Sequence, residues 1–275
     1  MRFVAVPQWQ GSPSPRAMRL SDGAGAIFGD LPSKASAMVE VPVGAGDALG
    51  TTIHRLSAVA SVAHALTDEL QRSPETALVV GGDCGVEFAA VRHALRDDTC
   101  VVWFDAHPDL HSPDSSESGA FSGMVVGALL GRADAELSSG GFEPAAVPLA
   151  PGRVVLAGTR SYDDAEDTWA DEQGIRSVSA FELDPADVVD AVAASGATSV
   201  YIHIDLDVLD PSSFGGLLDP QPFGLEPATL VATIGALRER FELVGAGICS
   251  FAPATAESAA DDLGTILRVI GALAR

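Results

Sequence analysis

Positive charge is what this chain has least of. Among 275 residues there is one lysine, Lys34, and 16 basic residues in all face 38 acidic ones, for a formal net charge of −22. A surface this acidic excludes nucleic acid and anionic membranes as natural partners and suits cationic ligands or divalent metals. Solubility alone accounts for most of the excess. Cysteine is scarce as well: Cys84, Cys100 and Cys249 are odd in number and show no CxxC spacing. That argues against a disulfide framework and against a zinc ribbon. No uninterrupted apolar run approaches the length of a membrane span. The apolar stretch in MRFVAVPQWQGSPSP is too short for a secretion signal, so a soluble, cytoplasmic protein is expected.

What the chain does contain is alternation. ALVV (77–80), CVVWF (100–104), RVVLAG (153–158), SVYIHIDL (199–206) and LVGAGIC (243–249) read as strands. They are apolar almost throughout, as strands covered on both faces are. Helical, often alanine-rich segments lie between and around them, roughly at 51–72, 85–96, 123–131, 164–174, 185–195, 226–239 and 256–274. This pattern predicts a three-layer α/β/α architecture with a central parallel sheet, as one domain spanning 1–275. Pro/Gly/Ser-rich pieces at 11–15, 111–119 and 211–224 read as loops, and neither an internal repeat nor a domain linker is evident.

Ligands of open α/β sheets sit at the carboxyl ends of the strands. After CVVWF comes DAHPDLHSP, with Asp105, His107 and Asp109 at alternate positions; after SVYIHI comes DLDVLDP, with Asp205, Asp207 and Asp210. Side chains at i and i+2 share a side wherever the backbone stays extended. Asp105, Asp109, Asp205 and Asp207 aimed at one another would repel unless cations neutralise them. Strand-end aspartates are often only caps or turn residues. Two such clusters, one with an interposed histidine, point instead to a metal site. Carboxylate oxygens with imidazole suit a hard or borderline divalent ion, Mn²⁺ first.

GGDC, FDAHPDLHSP and HIDLDVLDP together resemble the motifs of the ureohydrolase superfamily, which includes arginase, agmatinase and formiminoglutamase; the usual forms are GGDH, DAHxD and DxDxxDP. The resemblance implies an arginase-like fold, two bridged Mn²⁺ ions, and hydrolysis of a guanidino or amidino C–N bond in a linear amidine by a metal-bound hydroxide. On the same basis Asp105 and Asp205 correspond to the carboxylates shared by both metals. Cys84 and Asp109 would complete one site, and His107 and Asp207 the other. Asp109 would also orient the hydroxide as the catalytic carboxylate, with Asp210 a turn residue or an outer support.

Several positions depart from that pattern. Cys84 stands where the family carries a histidine, and three readings stay open: a softer ligand that favours Zn²⁺ or Fe²⁺, a neutral packed thiol, or a nucleophile. Ser122 replaces a proton-shuttling histidine, and its hydroxyl does not titrate near neutrality. Ser250 replaces a glutamate that grips the guanidinium, which removes a charge-assisted pairing of roughly 1.5–3 kcal/mol. Glu257 reads as a surface helix residue rather than a substitute. Ser118 and Asp163 match positions that touch the substrate's α-carboxylate and α-amino groups, and His111 stands where arginases carry an asparagine. A specialised, amino-acid-like substrate is therefore expected, of guanidino, N-hydroxyguanidino or formimino type. The alternative is a non-catalytic arginase-fold protein with a depleted metal site. His203, within a strand, reads as a satisfied core histidine; His54, His64 and His93 read as structural or solvent-facing. Assembly into homo-oligomers is implied by resemblance only.

Overall fold

All five expected strands form, and three short ones join them. In the computed structural model, which describes residues 1–275, the strands are β1 (Arg2–Val6), β2 (Ser36–Met38), β3 (Ala77–Gly81), β4 (Thr99–Phe104), β5 (Val154–Ala157), β6 (Arg176–Val178), β7 (Ser199–Asp205) and β8 (Glu242–Cys249). Their order is β2-β1-β3-β8-β7-β4-β5-β6, and every pairing is parallel. Along β4, Cys100, Val102 and Phe104 enter one apolar core while Val101 and Trp103 enter the other. The near-continuous apolar runs have this cause: each face of the sheet is covered.

The covering helices are α1 (Met18–Gly29), α2 (Leu56–Gln71), α3 (Glu87–Ala94), α4 (Val125–Leu129), α5 (Asp134–Ser138), α6 (Asp164–Gln173), α7 (Pro185–Ala194), α8 (Pro227–Arg240) and α9 (Ala256–Ala274). Residues of α1, α7, α8 and α9 pack into one core, and residues of α2 to α6 into the other. The result is a three-layer α/β/α fold. Helix α1 escaped the sequence reading because Gly23, Gly25 and Gly29 lower its helical propensity. Gly23 has a packing reason: a Cβ there would lie 1.8 Å from the carbonyl oxygen of Phe251. The segment from 51 to 55 is a turn rather than the start of α2, and Arg55 before the helix is left-handed at φ 58°.

Register carries this architecture to the site. Phe104 pairs with Ile204, Asp205 with Cys249, and Val80 with Ile248. The central strands β3, β8, β7 and β4 therefore end at one level, and the segments that follow them share one crevice. No helix is long and apolar enough to cross a membrane.

Candidate metal centre

The acidic residues arrive at the crevice by bends, not along extended chain as the alternate spacing suggested. Strand β4 stops at Phe104 and β7 at Asp205. Asp105 then accepts from the backbone N–H of His107 at 2.7 Å, and Asp205 from that of Asp207 at 2.8 Å. Short carboxylates compete in this way for the backbone two residues on, which ends a strand. Asp109 is left-handed at φ 50°, a conformation aspartate tolerates better than most residues. Asp207 ties the two strand ends together by accepting from the N–H of Ala106 at 3.0 Å.

Asp105, Asp109, Asp205 and Asp207 are all buried. The ion pairs of Arg2, Arg72 and Arg96 are made with Glu69 and Glu242, away from the cluster. Arg160 comes near, yet its guanidinium donates to the backbone carbonyls of Asp207, Val208, Gly158, Gln221 and Pro222. The cationic partner within the cluster is His107, whose Nδ1 lies 3.0 Å from Asp207 and 3.5 Å from Asp105. Burial opposes its charge, but hydrogen bonding to Asp105 and Asp207 holds it up at about 12. Burial together with mutual repulsion raises Asp109, Asp205 and Asp207. Burial also works to raise Asp105, yet the facing imidazoles of His107 and His203 bring it below its usual range. Asp109 Oδ2 is buried with no hydrogen-bond partner. An orphaned carboxylate oxygen among acids short of countercharge fits divalent cations. Asp105, His107 and Asp207 offer ligand atoms within 4.8 Å of one another.

Cys84 follows β3 in a 3-10 turn, Cys84–Val86, capped by Asp83, which accepts from the N–H of Gly85 at 2.8 Å. Its thiol is buried, donates to Asp205 Oδ2 at 2.9 Å, and lies 3.6 Å from His203 Nε2. Ser250, left-handed at φ 70°, donates its hydroxyl to the same Asp205 oxygen. His203 is buried as expected, but it is not a satisfied core residue: its Nδ1 has no hydrogen-bond partner, and its ring borders the cluster. Cys84, Asp105 and His203 form a second potential ligand group. Behind it lies Glu87, fully buried, which takes a 2.8 Å hydrogen bond from the Tyr201 hydroxyl. The sequence reading missed Glu87; a charged residue opening a helix beside the GGDC turn was the available signal.

The cleft above these groups has a volume of about 460 Å³, and Cys84, Asp109, His111, Ser118, Ser122, Asp163 and Ser250 all line it. At its mouth His111 Nε2 lies 2.9 Å from Asp163 and 3.5 Å from Glu166. Glu166, also missed, is buried and accepts from the N–H of Leu110 at 2.9 Å. Ser118 is exposed on the cleft wall, and Asp210 is engaged with the N–H groups of Ser212 and Gly224 in its own turn. Glu257 is exposed in the first turn of α9.

Known proteins share both the sequence pattern and the fold. The N(omega)-hydroxy-L-arginine amidinohydrolase of Streptomyces lavendulae is 30% identical over 213 residues, covering 76% of this chain and 73% of its own. The arginase of Bacillus caldovelox is 29% identical over 202 residues, covering 68% and 67%. The crystal structure of Entamoeba histolytica arginase in complex with L-ornithine superposes with a TM-score of 0.84 at 21% identity, covering 99% of this chain and 96% of that one. A model of the arginase family matches residues 15–270, and the chain belongs to that family.

Proposed function

We propose that this protein is a divalent-metal-dependent hydrolase that cleaves a C–N bond in a guanidino or amidino compound of amino-acid type, N-hydroxyguanidines and formimino compounds included. The observation that carries this reading is the convergence of Asp105, Asp109, Asp205 and Asp207 without an arginine or lysine countercharge, with Asp109 Oδ2 left unpaired. Asp105 and Asp205 would be shared between two ions, with Cys84 and Asp109 on one side and His107 and Asp207 on the other. When bound, such ions supply countercharge and make water acidic enough to lose a proton near neutrality. Asp109 Oδ2 is the free acceptor that would orient the attacking water by taking its hydrogen bond. His111, Ser118 and Asp163 would hold the α-amino and α-carboxylate groups of the substrate at the mouth.

The homologous amidinohydrolase from Streptomyces lavendulae supports this substrate class. The hydroxyl of Ser250 is spent on Asp205, so this wall offers no charge to a guanidinium, which favours a less basic substrate. Mn²⁺ is the first candidate ion, and a small-molecule ligand, a cytoplasmic location and homo-oligomeric assembly belong to the same reading. The test is a panel of guanidino, N-hydroxyguanidino, amidino and formimino amino acids, assayed with Mn²⁺, Zn²⁺ and Fe²⁺ alongside elemental analysis. Turnover with bound metal supports the reading. Complete inactivity with no metal retained would favour a non-catalytic member instead.

A further inference from the structure

Four residues outside the cluster of aspartates and His107 form a chain of their own. His203 sits in β7 between Trp103 of β4 and Gly247 of β8. Its ring stacks on Trp103 at 3.6 Å and 24°, which fixes the ring plane. Nε2 faces Cys84 Sγ at 3.6 Å and Asp105 Oδ2 at 3.9 Å, while Sγ lies 2.9 Å from Asp205 Oδ2. The other nitrogen, Nδ1, faces Glu87 Oε2 at 3.4 Å. Glu87 can stand there because position 247 is glycine: a Cβ at Gly247 would lie 2.0 Å from Glu87 Oε1. His203 and Glu87 are fully buried.

Core packing explains none of this polarity, since an apolar side chain would fill the space of His203 without leaving a nitrogen unpartnered. A soft metal ion at Nε2 explains the approach of Cys84 and Asp105 there, and it would place the ring's remaining proton on Nδ1, 3.4 Å from the Glu87 carboxylate. Metal-bound imidazole almost always gives its second N–H to a carboxylate or carbonyl, which sets the tautomer and frees the other nitrogen's lone pair for the ion. Sulfur and nitrogen bound tetrahedrally to one zinc, at about 2.3 and 2.0 Å, stand about 3.5 Å apart. The separation of Cys84 Sγ and His203 Nε2 is 3.6 Å.

We propose that Cys84 Sγ and His203 Nε2, with carboxylate oxygens of Asp105 and Asp205, form a zinc site, and that Glu87 orients His203 through Nδ1–H. This deepens the binuclear reading above and rests on it, with His203 taking the ligand place given there to Asp109, which is left to orient the water: the centre would hold two unlike ions, a borderline-soft one between Cys84 and His203 and a harder one beside His107 and Asp207. Binding would form the S–Zn and Nε2–Zn bonds and break S–H and, where the imidazole is protonated, Nε2–H, with the protons released to solvent.

The test is X-ray absorption at the zinc edge on the full chain loaded with one equivalent of Zn²⁺, paired with Co²⁺ substitution followed by its sulfur-to-cobalt charge-transfer band. A sulfur shell at about 2.3 Å and a charge-transfer band are expected, with the band absent in Cys84→Ser. Glu87→Gln should weaken Zn²⁺ binding by about 10–100-fold, and His203→Gln at least as much. Because either buried variant can misfold, the absorption spectrum of the unaltered protein decides the matter alone. Bound zinc with only oxygen and nitrogen neighbours overturns this inference and leaves the metal-hydrolase reading standing. Failure to bind Zn²⁺, Co²⁺ or Mn²⁺ at all overturns both.

Discussion

Asp105 and Asp205 leave adjacent parallel strands directly after the register pair Phe104 and Ile204, so two carboxylates emerge side by side at the same level of the sheet. Asp207 and Asp109 follow within two and four residues. Such a cluster is maintained against its own repulsion, and the metal-free protein bears the cost.

Asp207→Asn should therefore separate stability from function. Burial raises the carboxyl of Asp207 well above the usual range, followed by repulsion from Asp205 and Asp105. Removing that charge is expected to stabilise the metal-free protein by about 1–2 kcal/mol, while metal content falls and activity is lost. Urea unfolding in chelator, compared with elemental analysis, checks both halves. A variant that is destabilised in chelator, yet retains full metal content when loaded, would contradict the charge argument.

Metal-free stability should also fall as pH rises. Burial opposes the charged form of His203, but Asp105 and Glu87 hold it up at about 9, against 6.5 for the free side chain. A folded-state pKa above the unfolded one gives stability that is complete below 6.5 and lost as pH climbs through 9, on the order of 3 kcal/mol. His107, held at about 12, continues the loss in the same direction. The raised carboxyls of Asp109, Asp205 and Asp207 share this sign. Asp105, lowered, acts oppositely, but only where pH drops below its ordinary 3.8. Unfolding free energies from urea titrations in chelator at about pH 6 and about pH 9 should differ by this much. Saturating metal should reverse the slope, because the ion binds deprotonated ligands. A flat metal-free profile would sink the prediction.

The central strands were legible because apolar runs covered on both faces leave a plain signal, and the site residues because they follow those runs directly. Edge strands β2 and β6, at three residues each, are too short to show a period. Glu87 and Glu166 hid for another reason: each looks like an ordinary acid in the first turn of a helix. Only the folded chain sets Glu87 behind His203 and Glu166 beneath His111. The spacing of the DAHPD and DLD motifs pointed to residues that do share one crevice, but by the wrong geometry, since bends bring them together.

Helix α1 offers a test in which propensity and packing disagree. Glycine to alanine inside a helix ordinarily stabilises by about 1 kcal/mol, and Gly25→Ala should do so, with nothing within 4 Å of its new Cβ. Gly23→Ala should destabilise by about 1–3 kcal/mol through overpacking, because its Cβ would meet the Phe251 carbonyl at 1.8 Å. Opposite signs in thermal or urea unfolding are the expected result. Equal stabilisation by both would mean that α1 does not dock against Phe251.

At the mouth, Asp163 and Glu166 both face His111, yet they should fail differently. Asp163 is largely exposed and occupies the N-cap of α6, so Asp163→Ala would remove the proposed grip on substrate along with the cap residue. KM should rise about tenfold or more with kcat little changed, at a stability cost of about 1 kcal/mol. Glu166 is buried and holds the N–H of Leu110, the residue next to left-handed Asp109. Glu166→Ala leaves that N–H unpaired, at about 1–3 kcal/mol, and frees the backbone that aims the Asp109 carboxylate. Its loss should fall on kcat. The KM-against-kcat split, measured on whichever substrate the panel identifies, decides between these roles: if Asp163→Ala lowers kcat while sparing KM, the mouth is not where the substrate's amino-acid end is held.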